Sequence, residues 1–362
     1  MGSFEVIIIG AGPAGLALGA HLRKFGVNTL ILERDQIAST WCRVPEGLRV
    51  LSPWWTNSLD MRSATRHFPL ALVSAREYKN HLLDFAKRAQ LPIVTGVNVS
   101  SVAEGAAGWE IIGDDGRWWS ATFVVCATGY FGAPNRDVIG TDGSVPVLHS
   151  SDISNFEEFV ESARGRRIAV IGKRVTAGQL AIELNARGCK VTICSNSPLL
   201  FRRVDLYGKI RENLYFVIEM LRILIQPTKK ANSFPDMDGG LIELLLKSGL
   251  VRAAARPNEI SKGALHLMDG SRIPVDAVVL ATGFRPALSF LNTVCALDPR
   301  TGIPALEGFE ITQSRGIFLL GFDNIRNFRS RALRGIRADS RVLAKLLLAQ
   351  LVKRRELKAS ND

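Results

Sequence analysis

The chain has 362 residues, 47% of them apolar and 22% charged, and a net charge of +12 from 46 Lys and Arg against 34 Asp and Glu. That length can bury cores in two or three domains. No stretch reaches the ~20 uncharged apolar residues of a membrane-spanning helix, and no compact Lys/Arg block interleaved with aromatics marks a nucleic-acid site. The basic excess therefore reads as a basic surface with cationic pockets for polyanionic cofactors.

The five cysteines (42, 126, 189, 194 and 295) form no C-x-x-C pair and no zinc spacing. This points to a reducing, cytoplasmic setting with no structural disulfide, dithiol centre or metal.

The chain opens on a strand, "FEVIIIG", with no export signal expected ahead of it. The strand runs into Gly10, Gly12 and Gly15, a G-x-G-x-x-G, and a helix follows. Gly10 permits the tight turn, Gly12 lets a pyrophosphate reach the amides at the helix start, and Gly15 lets helix and strand pack closely. A second strand, "NTLILERD", ends in Glu33, whose carboxylate can accept hydrogen bonds from both ribose hydroxyls. The turn, the helix and the acidic strand end define a Rossmann dinucleotide site suited to FAD.

Next come an Asp115–Gly116 turn and the buried strand "VVCATGY". The opening unit then recurs 162 residues on, where "VIGKRVTAGQL" (170–180) starts a second strand, turn and helix. Gly172 stands where Gly10 did, Ala177 where Gly15 did, and Ser195 where Glu33 did. An Asp269–Gly270 turn before "VVLATGF" repeats the hairpin, with Gly116 and Gly270 each thirteen residues ahead of the glycine of A-T-G. A neutral Ser195 with Arg202 and Arg203 nearby suits the 2′-phosphate of NADP, which a carboxylate would repel.

Arg174 occupies the middle of the second turn, where a small residue is usual. Either its guanidinium lies across the pyrophosphate as a charge-assisted contact, or it fills the site and leaves a relic.

Within 200–235, "IRENLYFVIEMLRILIQ" sets Leu214, Ile218, Leu221 and Ile225 on one helical face. This apolar insertion is read as a helix packed on the sheet or in a dimer interface, or else as a lid, a hydrophobic entry or a membrane-surface contact beside Lys229 and Lys230. The C-terminal "RVLAKLLLAQLVKRRELK" reads as a packing helix with a frayed basic end. His81 and His266 lie in apolar-periodic surroundings and read as structural.

The order G-x-G-x-x-G, Glu, A-T-G-Y, a second G-x-x-x-T-A and A-T-G-F-x-P resembles the class B flavin-dependent monooxygenases. These include flavin-containing monooxygenases and the plant enzymes that oxidise indole-3-pyruvate. The resemblance runs from Phe4 to about Leu351. "IASTW" (37–41) and "LRVLSP" (48–53) are similar to segments passing the flavin, and "TNSLDM" (56–61) to one carrying an asparagine that contacts it. That makes Asn57 the catalytic candidate, although a gap-free comparison with the plant enzymes puts Trp54 there, and an Asn between Thr and Ser also suits a polar turn. "GSVPVLHSSDI" (143–153) is similar to a signature whose aromatic end is here Ile153, which favours heteroatom oxidation over Baeyer–Villiger chemistry. In 316–347 Gly321 would lie against the flavin, and the helix start near Leu333–Arg334 would point at its pyrimidine end.

The resemblance implies an α/β fold of two Rossmann-like dinucleotide-binding domains, the NADP domain (151–284) inserted into the FAD domain (1–150 and 285–362). Motifs and resemblance together give as cofactor contacts Gly10, Gly12, Pro13, Ala14, Gly15, Glu33, Arg34, Thr40, Trp41, Arg43, Leu51, Ser52, Val99, Ala127, Thr128, Gly129, Gly172, Lys173, Arg174, Thr176, Ala177, Ser195, Arg202, Arg203, Ala281, Thr282, Gly283, Gly321, Phe322 and Leu333. The implied activity is reduction of FAD by NADPH and reaction with molecular oxygen to a flavin C4a-(hydro)peroxide that oxygenates a small organic substrate. Two alternatives stay open. One is a flavin oxidase or reductase with an altered nicotinamide site; the other is a flavin-binding redox sensor or interaction protein presenting the 211–225 helix.

Overall fold

The run Val6–Ile9 is apolar without alternation, as a strand buried on both faces requires. In the computed structural model it belongs to the strand Ser3–Ile9, at the centre of a parallel sheet. The structure describes all residues except 1, 45–48, 61, 63–64, 107, 137–138, 154, 203–213, 220, 223–224, 226–236, 239 and 361–362. Across the parallel part of this sheet the order is Ile93–Val94, Thr29–Leu32, Ser3–Ile9, Trp118–Cys126 and Ile317–Leu319. The helix Pro13–Lys24 crosses over it, with Gly12 as its N-cap residue and Pro13 in its first turn, where the missing N–H costs nothing. Gly19 lets this helix settle on the sheet: a Cβ there would lie 2.8 Å from Ile31 Cδ1.

The second sheet repeats the plan in the order Val251–Ala255, Lys190–Ser195, Arg167–Ile171, Ala277–Leu280 and Val147–His149, all parallel. The helix Val175–Ala186 packs on it through Ala177, Gly178, Leu180, Ala181 and Leu184. Each domain carries an antiparallel hairpin at the matching place in the chain, and the turns at Gly116 and Gly270 both have φ +81°. In the first domain one strand, Trp118–Cys126, serves both hairpin and parallel sheet. In the second the chain breaks between Arg272–Pro274 and Ala277–Leu280.

Two sequence expectations change. The boundary at 150 is too late, because Gly140–Thr141 and Val147–His149 already pair with strands of the inserted domain. The chain leaves and re-enters the first domain through a short antiparallel ribbon, Ala133–Pro134 with Phe284–Arg285. The C-terminal helix runs from Leu333 to Ala359, so its basic end is helical rather than frayed, while Leu343, Ala344, Leu347 and Leu351 are buried in the first core.

The 211–225 segment, described at 214–219, 221–222 and 225, is helical there. Its apolar face is not packed on the sheet. Leu214, Val217, Ile218, Leu221 and Ile225 are all exposed, while Phe216 and Glu219 are buried. Arg211, Lys229 and Lys230 lie outside the described residues.

Candidate dinucleotide-binding and active site

Both Gly-turns open on one cavity of about 1350 Å³ whose wall draws on both domains. The two turns are built alike. The Gly10 amide donates to Leu32 O at 2.7 Å and the Gly172 amide to Cys194 O at 3.0 Å. A Cβ on Gly10 would lie 2.7 Å from Ala127 O, and one on Gly172 would lie 2.5 Å from Ala281 O. Each turn is thus pressed against the alanine of an A-T-G strand end, with no room for a side chain.

At the next helix start they diverge. Gly12 has φ −82° and ψ −175°, and a Cβ there would meet no protein atom within 4 Å. Arg174 holds nearly the same backbone, φ −115° and ψ −173°, and caps the helix Val175–Ala186. A side chain is therefore sterically admissible at this position, and that of Arg174 lines the cavity.

Glu33 is 7% exposed and on the cavity wall. Its Oε2 accepts from the Ala11 amide at 2.7 Å, and its Oε1 accepts from the Asp35 amide at 3.1 Å and the Ser39 hydroxyl at 3.2 Å. A carboxylate has about four lone-pair sites, so capacity remains for a ribose hydroxyl. The Thr128 hydroxyl is buried with no hydrogen-bond partner among the described residues, whereas its repeat Thr282 donates to Asn135 O at 2.6 Å. An open cradle at Gly12 and an orphaned polar atom on the same wall fit a bound polar group.

Of the other residues chosen from sequence, Pro13, Ala14, Arg34, Thr40, Trp41, Arg43, Leu51, Ser52, Val99, Ala127, Gly129, Lys173, Thr176, Ser195, Ala281, Gly283, Gly321 and Leu333 line the same cavity. Trp41 packs on Tyr78 with ring centroids 4.5 Å apart. Arg43 pairs with Asp35 at 2.5 Å, and Arg34 with the same carboxylate at 3.3 Å.

Four do not face the cavity. Gly15 is covered by its own turn, since a Cβ there would lie 1.9 Å from Gly10 O. Ala177 is buried in the second core and Phe322 in the first. Asn57 is fully buried in the helical turn Trp54–Asn57, where the fully buried Trp54 also lies off the wall. Its Oδ1 accepts from the Ser52 hydroxyl at 2.8 Å and its Nδ2 donates to Ser52 O at 2.7 Å. Asn57 therefore holds Ser52, and of the two only Ser52 lines the wall. The side chain of Arg202 and all of Arg203 lie outside the described residues.

Sequence reasoning missed Arg256. Its amide donates to Ser195 O at 2.9 Å, and both residues line the cavity with Asn196. Ser195 donates through Oγ to Ser197 O at 2.7 Å, and Lys173 Nζ donates to Ser197 Oγ at 2.7 Å. The signal lay in register, because Val251–Ala255 pairs with Lys190–Ser195 and brings the following arginine beside the strand end.

Also missed was a network on the first domain. Arg331, on the wall, donates to Asp323 at 2.8 Å, and Tyr130 of A-T-G-Y hydrogen-bonds the same carboxylate. Burial, with help from Asp323, pushes the Tyr130 phenol up to about 12.

His149 is buried, and its Nε2 donates to Gly283 O at 3.0 Å, which makes Nδ1 the acceptor of the Ser151 amide at 3.1 Å. Burial lowers its pKa, so it stays a neutral tie between the strand end and the second A-T-G turn. His81 and His266 are structural too: His81 accepts from the Leu59 amide at 3.3 Å and His266 bonds Ser261 Oγ at 3.1 Å. Among the described residues no His/Cys/Asp/Glu group could hold a metal, and no helix is long and apolar enough to cross a membrane.

Comparison with known proteins places this geometry. A probable indole-3-pyruvate monooxygenase of Arabidopsis thaliana, YUCCA1, is 27% identical over 77% of this chain and 75% of its own length. The flavin-containing monooxygenase of Stenotrophomonas maltophilia superposes with TM-score 0.76 at 23% identity, covering 97% of this chain and all of its own. OTEMO, crystallised with FAD and NADP, superposes with TM-score 0.73 at 14% identity over 98% of this chain and 86% of its own. The model of the pyridine nucleotide-disulphide oxidoreductase family matches residues 7–237, and the chain belongs to that family of flavin-dependent oxidoreductases.

Proposed function

We propose that the protein is an NADPH-dependent FAD monooxygenase that oxygenates a small organic substrate at a heteroatom or other soft nucleophile, using molecular oxygen, in the cytoplasm. The observation that carries this reading is the single cavity shared by the Gly10–Gly12 and Gly172–Arg174 turns. Two dinucleotides held by those turns would meet in one enclosure, as direct hydride transfer demands.

Bound FAD would supply electron acceptance and oxygen activation. The chain's own part is to bind, orient and exclude water. Glu33 would take a ribose, the Gly12 amide end a pyrophosphate, and the Thr128 hydroxyl a further polar atom. On the other side Lys173, Ser195 and Arg256, which line the cavity, would receive a 2′-phosphate, with Arg202 and Arg203 following in sequence. Ser52, fixed by Asn57, lies on the cavity wall.

Anaerobic mixing with NADPH should bleach the flavin absorbance. Labelled oxygen should then leave one labelled atom in the product of an accepted substrate. No bleaching by NADPH or NADH would overturn the proposal. Bleaching followed by peroxide release equal to NADPH consumed, with every candidate substrate, would establish the oxidase alternative. The observation favouring that alternative is Arg174 in the cavity. The exposed apolar residues Leu214, Val217, Ile218, Leu221 and Ile225 support a peripheral membrane or dimer contact, and vesicle co-sedimentation and sedimentation velocity separate the two.

A further inference from the structure

Among the described residues of 214–225, five large apolar side chains face outward, while Phe216 and a carboxylate, that of Glu219, face inward. At 3.6 residues per turn, Leu214, Val217, Ile218, Leu221 and Ile225 form one stripe, and all are exposed. Glu219 lies well round from that stripe and is only 3% exposed. A buried carboxylate survives only with strong partners, and Glu219 has two guanidiniums. Arg334 Nε donates to its Oε1 at 3.1 Å and Oε2 at 2.9 Å, and Arg334 Nη2 donates to Oε1 at 3.0 Å. Arg329 Nε lies 3.7 Å from Oε2. The Arg334 guanidinium also stands 5.5 Å over the Phe216 ring, so the inserted helix grips it from two sides.

Arg334 is the second residue of the long helix Leu333–Ala359 and lines the cavity. A helix N-terminus carries about half a positive charge, and the guanidinium beside it would add a full one. Glu219, reaching across from the inserted domain, offsets it.

We propose that Glu219 is a positioning residue for the flavin, acting through Arg334. By taking up that guanidinium it fixes the charge presented at the helix start and keeps the flavin's reduction potential low. The inference rests on the reading above that FAD occupies this cavity. Positive charge near the flavin favours its electron-rich reduced form, so uncovering Arg334 should ease reduction and uncovering Glu219 should hinder it.

The test is the two-electron midpoint potential of the flavoprotein, read by reductive titration against a reference dye. Glu219→Gln should raise it by about 30 mV, a tenfold change in the ratio of reduced to oxidised flavin. Arg334→Gln should lower it, and the double variant should return near the wild-type value, since the pair is removed as a neutral unit. Glu219→Asp, which keeps the charge, should shift it least. Unchanged potentials in both single variants, or shifts of the same sign, would overturn the proposal, because a purely structural latch gives no opposed signs. Should Glu219→Gln not retain flavin, the Glu219→Asp and Arg334→Gln titrations still decide it: a lowered potential in the second alone supports the proposal, and no difference between them refutes it. Absence of flavin from the wild-type protein would instead refute the underlying functional reading.

Discussion

Gly12 and Gly15 sit three residues apart in one turn and do different work. A methyl at position 12 would enter open cavity, whereas one at position 15 would lie 1.9 Å from Gly10 O and force the turn apart. Gly12→Ala should therefore purify with little flavin yet unfold like flavin-free wild type. Gly15→Ala should destabilise even the flavin-free protein by roughly 1–3 kcal/mol, as overpacking does. Denaturant melts of flavin-free samples check the pair, and equal losses would contradict the geometry.

On the other wall, Arg174→Ala should weaken NADPH roughly ten- to a hundredfold if its guanidinium bridges the pyrophosphate, the worth of one charge-assisted contact. Tighter binding by Arg174→Gly would instead mean occlusion. Arg256→Ala should weaken NADPH far more than NADH, because only the 2′-phosphate would need it. The concentration dependence of anaerobic flavin reduction reads all three. The two glycine turns and the place of Glu33 at a strand end on the cavity wall were legible in the sequence because they follow from local spacing. Arg256 was not, because its place beside Ser195 comes from strand register and not from chain proximity. Nor was the inward placement of Asn57, whose partners lie in a fold of the loop around it.

Among the elements, strands and helices with a turn signal at each end were legible, and the direction in which a helix faces was not. The period of 214–225 located an apolar stripe but not whether it would be wetted; Glu219 decided that, through partners more than a hundred residues away. The helix Ala75–Arg88 is the ordinary case. It has a Ser74–Glu77 capping box, with Tyr78, His81, Leu82 and Phe85 buried. His81 is 3% exposed, and burial holds its imidazole at about 4, with Asp60 opposing in part. Its Nε2 accepts the Leu59 amide, so the ring must stay neutral. With a folded value of about 4 and an unfolded one of about 6.5, the unfolded chain takes the proton first as pH falls. Stability from this residue is therefore flat above pH ~6.5 and declines toward pH ~4, by about 2 kcal/mol at pH 5. His21, also held at about 4 by burial, contributes in the same direction. In His81→Gln the drop in denaturant midpoint between pH 7.5 and pH 5 should shrink accordingly, leaving the shares of His21 and His149. An unchanged drop would mean that His81 protonates freely in the folded protein.

At the scale of the whole chain the two sheets keep separate interiors. The buried residues of the first core run from Val6 to Ala127 and from Leu288 to Leu351, and those of the inserted domain from Val145 to Leu280. Between them run the ribbon of Ala133–Pro134 with Phe284–Arg285 and the grip of Glu219 on Arg329 and Arg334. The duplication was legible because both halves repeat their turns at one spacing. The boundary was not, because the three-residue strand Val147–His149 is too short to show a period. Separate cores imply separate melting. A ligand at ~100 times its dissociation constant adds about 2.7 kcal/mol to the state that binds it, and each kcal/mol moves the midpoint of a domain of 150–250 residues by roughly 2–4 °C. Calorimetry of the flavoprotein should therefore resolve two transitions, and saturating NADP should shift only that of the inserted domain, by roughly 5–10 °C, leaving that of the FAD domain in place. Stripping FAD should lower the other transition alone. Glu219→Gln should widen the separation between the two, since it removes one of the ties through which each domain steadies its neighbour. A single transition that moves as a unit with either nucleotide would show that the ribbon and the grip on Arg334 weld the two cores into one cooperative body.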